Sequence, residues 1–183
     1  MTVAIVLGGA LNVYTDAKAA ASLFTPDVVV AVKDIGMTYP HVDHWVTYHP
    51  ERLPRELPIR RKKGLSDPLF IWTYEASRTP TVVGIPFKFI PFRGGSSGFM
   101  GMEVGCKVAD KVVLCGIPMD PNMKHFSRPK AKGWPEGKFY RQAWMKHLSE
   151  FKDRVRSMSG WTKEVLGEPT AAWLNDVERK HVL

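Results

Sequence analysis

The fold of this chain is decided by its opening stretch, Val3-Ala4-Ile5-Val6-Leu7-Gly8-Gly9. A continuous apolar run rich in β-branched residues that stops at two glycines predicts a buried strand entering a tight turn. Apolar residues then recur at three- and four-residue steps over residues 13–24, which predicts a helix ending at Thr25-Pro26. A valine-rich second strand is predicted over residues 27–33. Strand, helix and strand in this order form a βαβ unit, so we expect a parallel sheet.

A second glycine-rich turn, Gly94-Gly95-Ser96-Ser97-Gly98, precedes a helix predicted from about residue 97 to 109 and a strand over residues 111–116. In this helix Gly98, Gly101 and Gly105 follow one another at steps of three and four, which leaves one face almost without side chains. We expect the sheet to approach Gly101 and Gly105, and a ligand to approach Gly98 in the first turn.

Other segments complete the predicted domain. A short strand is expected over residues 43–48, and a basic amphipathic helix from about 136 to 154 with Phe139, Trp144 and Phe151 on its inner stripe. A last strand is expected at 155–158. The proline-rich segment 54–95 is interpreted as an irregular insertion carrying two short strands, at 69–74 and 81–83.

These elements predict a single Rossmann-like α/β domain spanning residues 1–183. Its sheet is mostly parallel, has five to seven strands and carries helices on both faces. No stretch approaches the roughly 20 apolar residues of a membrane-spanning helix, so we expect no membrane contact. The apolar run at residues 3–7 lacks the basic flank and the length of a signal peptide, so we expect a cytoplasmic protein.

Charge is distributed unevenly along the chain. The formal net charge is +8, yet residues 1–54 carry 3 basic and 5 acidic side chains and the remainder carries 23 and 13. A basic excess attracts anionic partners but equally suits a plain solvated surface. The two cysteines, Cys106 and Cys115, lie in apolar segments and indicate neither a disulfide framework nor a zinc site.

Both glycine-rich turns lie where open α/β sheets bind ligands, at the carboxyl ends of strands and the starts of helices. Free N–H groups and the helix dipole hold a phosphate there without a lysine. Neither turn matches G-x-G-x-x-G or the Walker pattern, which disfavours dehydrogenases and P-loop NTPases and identifies no cofactor. The predicted ligand-binding residues are Gly8, Gly9, Asn12, Asp34, Gly94, Gly95, Ser96, Ser97, Gly98 and Asp120.

Three positions are candidates for chemistry. Asp34 follows the second strand, where an acidic residue accepts ribose hydroxyls, although a plain loop aspartate is the alternative. Asp120 follows the strand ending at Cys115 and suits a ribose, a metal or only a nearby amide. His125 lies in the long loop 117–137, interpreted as an active-site flap, and is the best-placed general base, with a surface histidine as the alternative.

Two other interpretations are less favoured. The segment holding Asp43 and the histidines at positions 41, 44 and 49 lacks the spacing at which histidines converge on a metal, so no metal site is predicted. A nucleic-acid surface is conceivable from the basic side chains with aromatic neighbours, but no nucleic-acid-binding pattern is present. The residues considered for it are Arg60, Arg61, Lys62, Lys63, Lys124, Phe126, Arg128, Lys130, Lys132 and Trp134.

Two blocks carry a resemblance to a known family: Val3-Ala4-Ile5-Val6-Leu7-Gly8-Gly9-Ala10, and Ser96-Ser97-Gly98-Phe99-Met100-Gly101-Met102-Glu103-Val104-Gly105 with the strand that follows and ends in Ile117-Pro118-Met119-Asp120. The chain resembles the Rossmann-like family of the bacterial CMP-sialic-acid-dependent sialyltransferases and the MptE-like hydroxymethylpterin diphosphokinases. The resemblance implies that the serine-glycine turn holds a nucleotide phosphate or sugar and that His125 is catalytic. In departure from the family, the first turn lacks its proline and serine, Lys33-Asp34 replaces an asparagine, and the flap has no tyrosine pair.

The leading hypothesis is a transferase, glycosyltransferase-like or diphosphokinase-like, that uses a nucleotide-activated donor such as a nucleotide-sugar. In it the glycine turns hold the phosphate, Asp34 and Asp120 contact sugar hydroxyls or a metal, and His125 deprotonates the acceptor. The alternatives are a non-catalytic nucleotide-binding module of phage or accessory type, and a nucleic-acid-binding protein. The sequence leaves the donor, the acceptor and the oligomeric state open.

Overall fold

A computed structural model describes residues 1–75, 84–130 and 132–176. Seven strands form one sheet in the order β5-β4-β3-β2-β1-β6-β7, and every neighbouring pair is parallel. The strands are β1 (Val3–Leu7), β2 (Val28–Val32), β3 (His44–Val46), β4 (Phe70–Tyr74), β5 (Phe87–Ile90), β6 (Lys111–Cys115) and β7 (Val155–Ser157). The predicted parallel α/β sheet is confirmed.

Helices cover both faces of this sheet. They are α1 (Val13–Ala21), α2 (Leu53–Lys62), α3 (Ser97–Val108), α4 (Gly137–Phe151), α5 (Gly160–Leu166) and α6 (Ala171–Asn175), with 3₁₀ turns at Lys33–Met37 and Pro50–Arg52. Alternate residues of β1 enter opposite cores: Val6 packs on the side of α3 and α4, and Ile5 on the side of α1 and α2. Two buried layers around one parallel sheet make this a Rossmann-like α/β fold.

The strand order reverses beside β1. The chain moves outward from β1 to β5 and then returns to place β6 on the other side of β1. Leu7 and Cys115 are register partners, so the two strands end at the same level. The helices that follow them pack on opposite faces of the sheet, α1 after β1 and α4 after β6. A cleft lies at this carboxyl edge, where open α/β sheets bind ligands.

The interpretation of residues 54–95 as an irregular insertion is wrong. This segment supplies most of α2 and all of β4 and β5, which extend the main sheet in parallel. Pro54 lies in the first turn of α2, where its missing N–H has no intrahelical acceptor to lose. Leu53 and Leu57 are buried on one side of the helix, which offsets the bond lost at Pro58. The strand predicted at 81–83 lies outside the described residues.

Packing also decides two predictions about helix faces. An added Cβ at Gly101 would lie 2.4 Å from Val32 Cγ2, and one at Gly105 would lie 3.0 Å from Val6 Cγ2, so the expected approach of the sheet is confirmed. Phe139 is 74% exposed, so its predicted place on the inner stripe of α4 is wrong. The buried positions of this helix are Gly137, Trp144 and Phe151, and Phe139 lies about 200° around the helix from Gly137. No helix in the described ranges is long and apolar enough to cross a membrane.

Candidate functional site

A cleft of about 710 Å³ lies at the carboxyl edge of the sheet, over the ends of β1 and β6. It brings both glycine-rich turns to one place, although some 85 residues separate them in sequence. Among the predicted site residues, those that line the cleft are Gly8, Gly9, Asp34, Gly95, Ser96, Ser97, Gly98, Asp120 and His125. Asn12 and Gly94 do not line it.

The first glycine-rich turn, after β1, needs a glycine at position 9 because the His125 ring packs against it. An added Cβ at Gly9 would lie 2.5 Å from His125 Nε2, and Phe126 N–H donates to the Gly9 carbonyl at 2.9 Å. Leu11 N–H donates to the Lys124 carbonyl at 2.7 Å, so the loop 117–137 is fixed to this turn by backbone bonds on both sides of His125. Gly9 therefore positions the imidazole at the cleft.

Replacing Gly9 with alanine is expected to displace the His125 ring and to lower the free energy of unfolding by about 1–3 kcal/mol, the usual cost of overpacking. The cost should shrink when His125 is also alanine, because the obstructing ring is then gone. Denaturant unfolding of the two single variants and the double variant measures this coupling. If Gly9→Ala lowers the free energy of unfolding equally in the wild type and in His125→Ala, the His125 ring is not the reason for a glycine at position 9.

The second turn begins α3 with an open amino terminus. Gly94 and Gly95 both have positive φ, +82° and +78°, a conformation that side chains rarely adopt, and this turn brings Ser96 to the N-cap. The Ser96 hydroxyl accepts the Phe99 N–H at 3.4 Å. Within the described residues, the N–H groups of Ser97 and Gly98 bond to no protein acceptor. These two amides remain available to an anion at the cleft wall.

The start of α1 is different, because its first turn carries the carboxylate of Asp16. Asp16 accepts the Gly116 N–H at 2.9 Å and the Ser159 hydroxyl at 2.6 Å, and the Asn12 amide donates to it at 3.2 Å. These bonds tie α1 to the loops that follow β6 and β7. Asn12 thus supports Asp16, which holds the cleft residue Gly116. The negative charge of Asp16 makes α3 the better place for a ligand phosphate.

The cleft carries an excess of positive charge. Among the described residues, two carboxylates line it, Asp34 and Asp120, against five cationic side chains: Lys33, Arg52, Lys124, Arg128 and Lys132. Arg52 is neutralised locally, at 2.9 Å from Glu56 and 3.6 Å from Asp34. The other four form no ion pair within the described residues.

Lys33 is the most unusual of these cations. It directly follows β2, its φ is +56°, and its half-buried side chain lines the cleft. Burial lowers the pKa of Lys33; nearby Asp34 raises that pKa, while Arg52 and Arg128 lower it further. A left-handed backbone at a residue with a side chain costs free energy, and such strain collects at functional sites. An anion bound here would offset the crowding of positive charge.

His125 and Asp34 meet in the cleft with Ser127. His125 Nδ1 lies 2.8 Å from the Ser127 hydroxyl and accepts the Ser127 N–H at 3.3 Å. In the neutral ring this bond leaves the proton on Nε2, which lies 3.9 Å from Asp34 Oδ2. Burial lowers the pKa of His125, Asp34 raises that pKa, and Arg128 and Lys33 lower it. A neutral imidazole with its lone pair on Nδ1 can accept a proton at neutral pH.

The remaining predicted residues have local partners. Asp120 Oδ1 accepts the Asn122 N–H at 2.8 Å, as an aspartate does in a turn. His41 bonds to Asp43, His44 Nδ1 accepts the Trp72 indole N–H, and His49 bonds to Glu51, so the three histidines do not converge. Among the described residues no group of three His, Cys, Asp or Glu side chains is arranged to hold a metal ion.

Several cleft residues were not selected as site residues from the sequence. Tyr48, His49 and Arg52 line the cleft because they follow β3, whose carboxyl end faces it. The rule that ligands bind at carboxyl ends of parallel strands would have found Tyr48 and His49 once β3 was placed. Tyr140 lies in α4 and has no comparable sequence signal. From the sequence, Trp134 and Arg128 are candidates only for the nucleic-acid surface.

No family model, curated protein or solved structure matches the chain. The resemblance drawn from the two sequence blocks therefore stays a prediction.

Proposed function

We propose that the chain binds a nucleotide or a nucleotide-sugar in this cleft, with the phosphate against the start of α3. The proposal is carried by one observation: the N–H groups of Ser97 and Gly98, which have no acceptor in the part of the chain that the structure describes, share a cleft with an excess of cationic side chains at the reversal of strand order. Phosphate groups bind well where helix amides and lysine or arginine converge.

In this proposal the phosphate oxygens accept the amide hydrogens of Ser97 and Gly98, and the Lys33 ammonium, which lines the same cleft, supplies compensating charge. Lys124 and Arg128, from the loop after β6, also line the cleft. Both are exposed, so they hold the ligand mainly through long-range attraction that salt screens.

We further propose a transferase reaction of the glycosyltransferase-like type. The acceptor hydroxyl displaces the Ser127 hydroxyl at His125 Nδ1 and gives its proton to that nitrogen. The acceptor oxygen then forms a bond to the donor group, and the bond from that group to the nucleotide phosphate breaks. Asp34, 3.9 Å from Nε2, stabilises the imidazolium that forms. The leaving phosphate keeps its charge at the start of α3.

The binding proposal is tested with a panel of nucleotides and nucleotide-sugars. We expect at least one of them to raise the melting temperature of the wild-type protein. We expect Lys33→Met to weaken its binding by about tenfold or more, as loss of a charge-assisted bond does. Lys18→Met is the matched control, because Lys18 is exposed on α1 away from the cleft.

Titration calorimetry on the three proteins gives the dissociation constants. An affinity that Lys33→Met and Lys18→Met reduce equally would contradict a phosphate at Lys33. The absence of any stabilising nucleotide at millimolar concentration would contradict the proposed function itself.

A further inference from the structure

Two aromatic rings stand exposed on one wall of the cleft. Trp134 and Tyr140 stack with ring centroids 5.3 Å apart and planes 20° apart, and both line the cleft. Their exposed fractions are 38% and 37%. Aromatic side chains usually bury most of their large apolar surface. A stacked pair that keeps more than a third of its surface open inside a cleft is arranged to receive another ring.

The position of this pair is fixed by close packing around it. An added Cβ at Gly137 would lie 3.2 Å from the Trp134 ring, and one at Gly133 would lie 2.4 Å from the Pro121 carbonyl oxygen. Arg141, one residue after Tyr140, donates two hydrogen bonds to the Met119 carbonyl at 2.9 and 3.0 Å. The rings are therefore held before a ligand arrives, which reduces the entropy cost of stacking on them.

Further aromatic rings lie at the same part of the cleft. Tyr48 lines it and donates its hydroxyl to the Gly94 carbonyl at 3.4 Å. Tyr74 and Phe92 support it, with ring centroids 5.6 and 5.7 Å from that of Tyr48. Burial raises the pKa of Tyr48, and neighbouring Glu103 and Tyr140 raise that pKa further, so the phenol stays neutral. The cleft thus joins an aromatic part to a cationic part.

We propose that Trp134 and Tyr140 form a stacking subsite for a planar heteroaromatic ring of the ligand. The ligand is then a nucleoside phosphate bound through its base, and a phosphosugar without a base is a poor substitute. This inference rests on the proposed function, since the aromatic pair and the proposed phosphate site line the same cleft. Base stacking on aromatic side chains is strong and tolerates different bases, because every base has a π-face.

The experiment compares the common nucleoside 5′-monophosphates with ribose 5-phosphate by titration calorimetry. The proteins are the wild type, Trp134→Ala, Trp134→Phe and Phe139→Ala. Phe139 is a matched control because it lies on α4 next to Tyr140, is 74% exposed and does not line the cleft. Quenching of tryptophan fluorescence by the nucleotide provides a second readout.

The wild type should bind at least one nucleotide about tenfold more tightly than ribose 5-phosphate. Trp134→Ala should reduce that affinity to the ribose 5-phosphate level, Trp134→Phe should recover part of it, and Phe139→Ala should leave it unchanged. If Trp134→Ala fails to fold, the test rests on the affinity of Trp134→Phe and on the wild-type comparison of nucleotides with ribose 5-phosphate.

Equal affinity of the wild type for the nucleotides and ribose 5-phosphate would overturn the ring subsite and leave the phosphate site standing. Unchanged nucleotide affinity in folded Trp134→Ala would do the same. Binding of neither compound would overturn both proposals.

Discussion

Replacing Arg60 with methionine is expected to lower the free energy of unfolding by about 3 kcal/mol or more. The Arg60 side chain is fully buried and donates to four backbone carbonyls, of Gly36, Tyr39, Pro40 and Ser66. Methionine fills similar space but offers no donor, so these carbonyls lose their partner inside the protein. Buried acceptors without a partner carry their full desolvation cost.

Denaturant unfolding measures this effect, and Arg61→Met is the matched control. Arg61 is exposed and pairs with Asp67, so its loss should cost much less than the loss of Arg60. Three of the four carbonyls, those of Gly36, Tyr39 and Pro40, belong to the segment just after Lys33 and Asp34, so Arg60→Met should also weaken nucleotide binding. Equal stability of the two variants would refute the structural role of Arg60.

Replacing His125 with alanine is expected to lower the turnover number by about 10²–10⁴-fold and to leave nucleotide affinity nearly unchanged. The imidazole accepts a proton in the proposed reaction but does not hold the phosphate. Separate measurements of turnover and of the dissociation constant distinguish the two effects. His41→Ala is the control, because its side chain is 69% exposed and does not line the cleft. Equal turnover of His125→Ala and the wild type would remove His125 from the mechanism.

His125 also sets the expected dependence of turnover on pH. Burial lowers the pKa of His125 below its ordinary value of 6.5, so the base is already neutral at pH 7. Turnover should rise with pH through a pKa below 6.5 and be level around neutrality. The acid limb should be absent from any residual activity of His125→Ala. A wild-type acid limb centred above 6.5 would contradict this assignment. Nucleotide binding without turnover in the wild type at any pH would favour the non-catalytic module.

The strands and helices with clear periodicity were predictable. The strand expected at 27–33 is observed at Val28–Val32, and the helix expected at 97–109 is observed at Ser97–Val108. By contrast, α2 was missed because its prolines and the charges at 60–63 suggested an exposed irregular segment. Burial of Arg60 overrides that local signal, since a guanidinium that meets four carbonyls is stable inside. Only the tertiary fold brings those carbonyls together.

The candidate site was predictable where it depends on local turn chemistry. Residues 95–98, which include the start of α3, line the cleft as expected, whereas Gly94 does not. The features of the site that depend on contacts between distant residues were not predictable. Gly9, for example, is explained by the ring of His125, which lies more than a hundred residues away in sequence. The contributions of Lys33 and Trp134 depend on which strands are neighbours and on how the loop after β6 returns to the first turn. Residue patterns within one segment do not contain that information.

The most direct measurement is a crystal structure of the protein with the nucleotide that stabilises it most. We expect a phosphate oxygen about 2.7–3.2 Å from the backbone nitrogens of Ser97 and Gly98, with the Lys33 ammonium beside it. A nucleotide bound away from the carboxyl ends of β1 and β6, with these amides facing only solvent, would contradict the account.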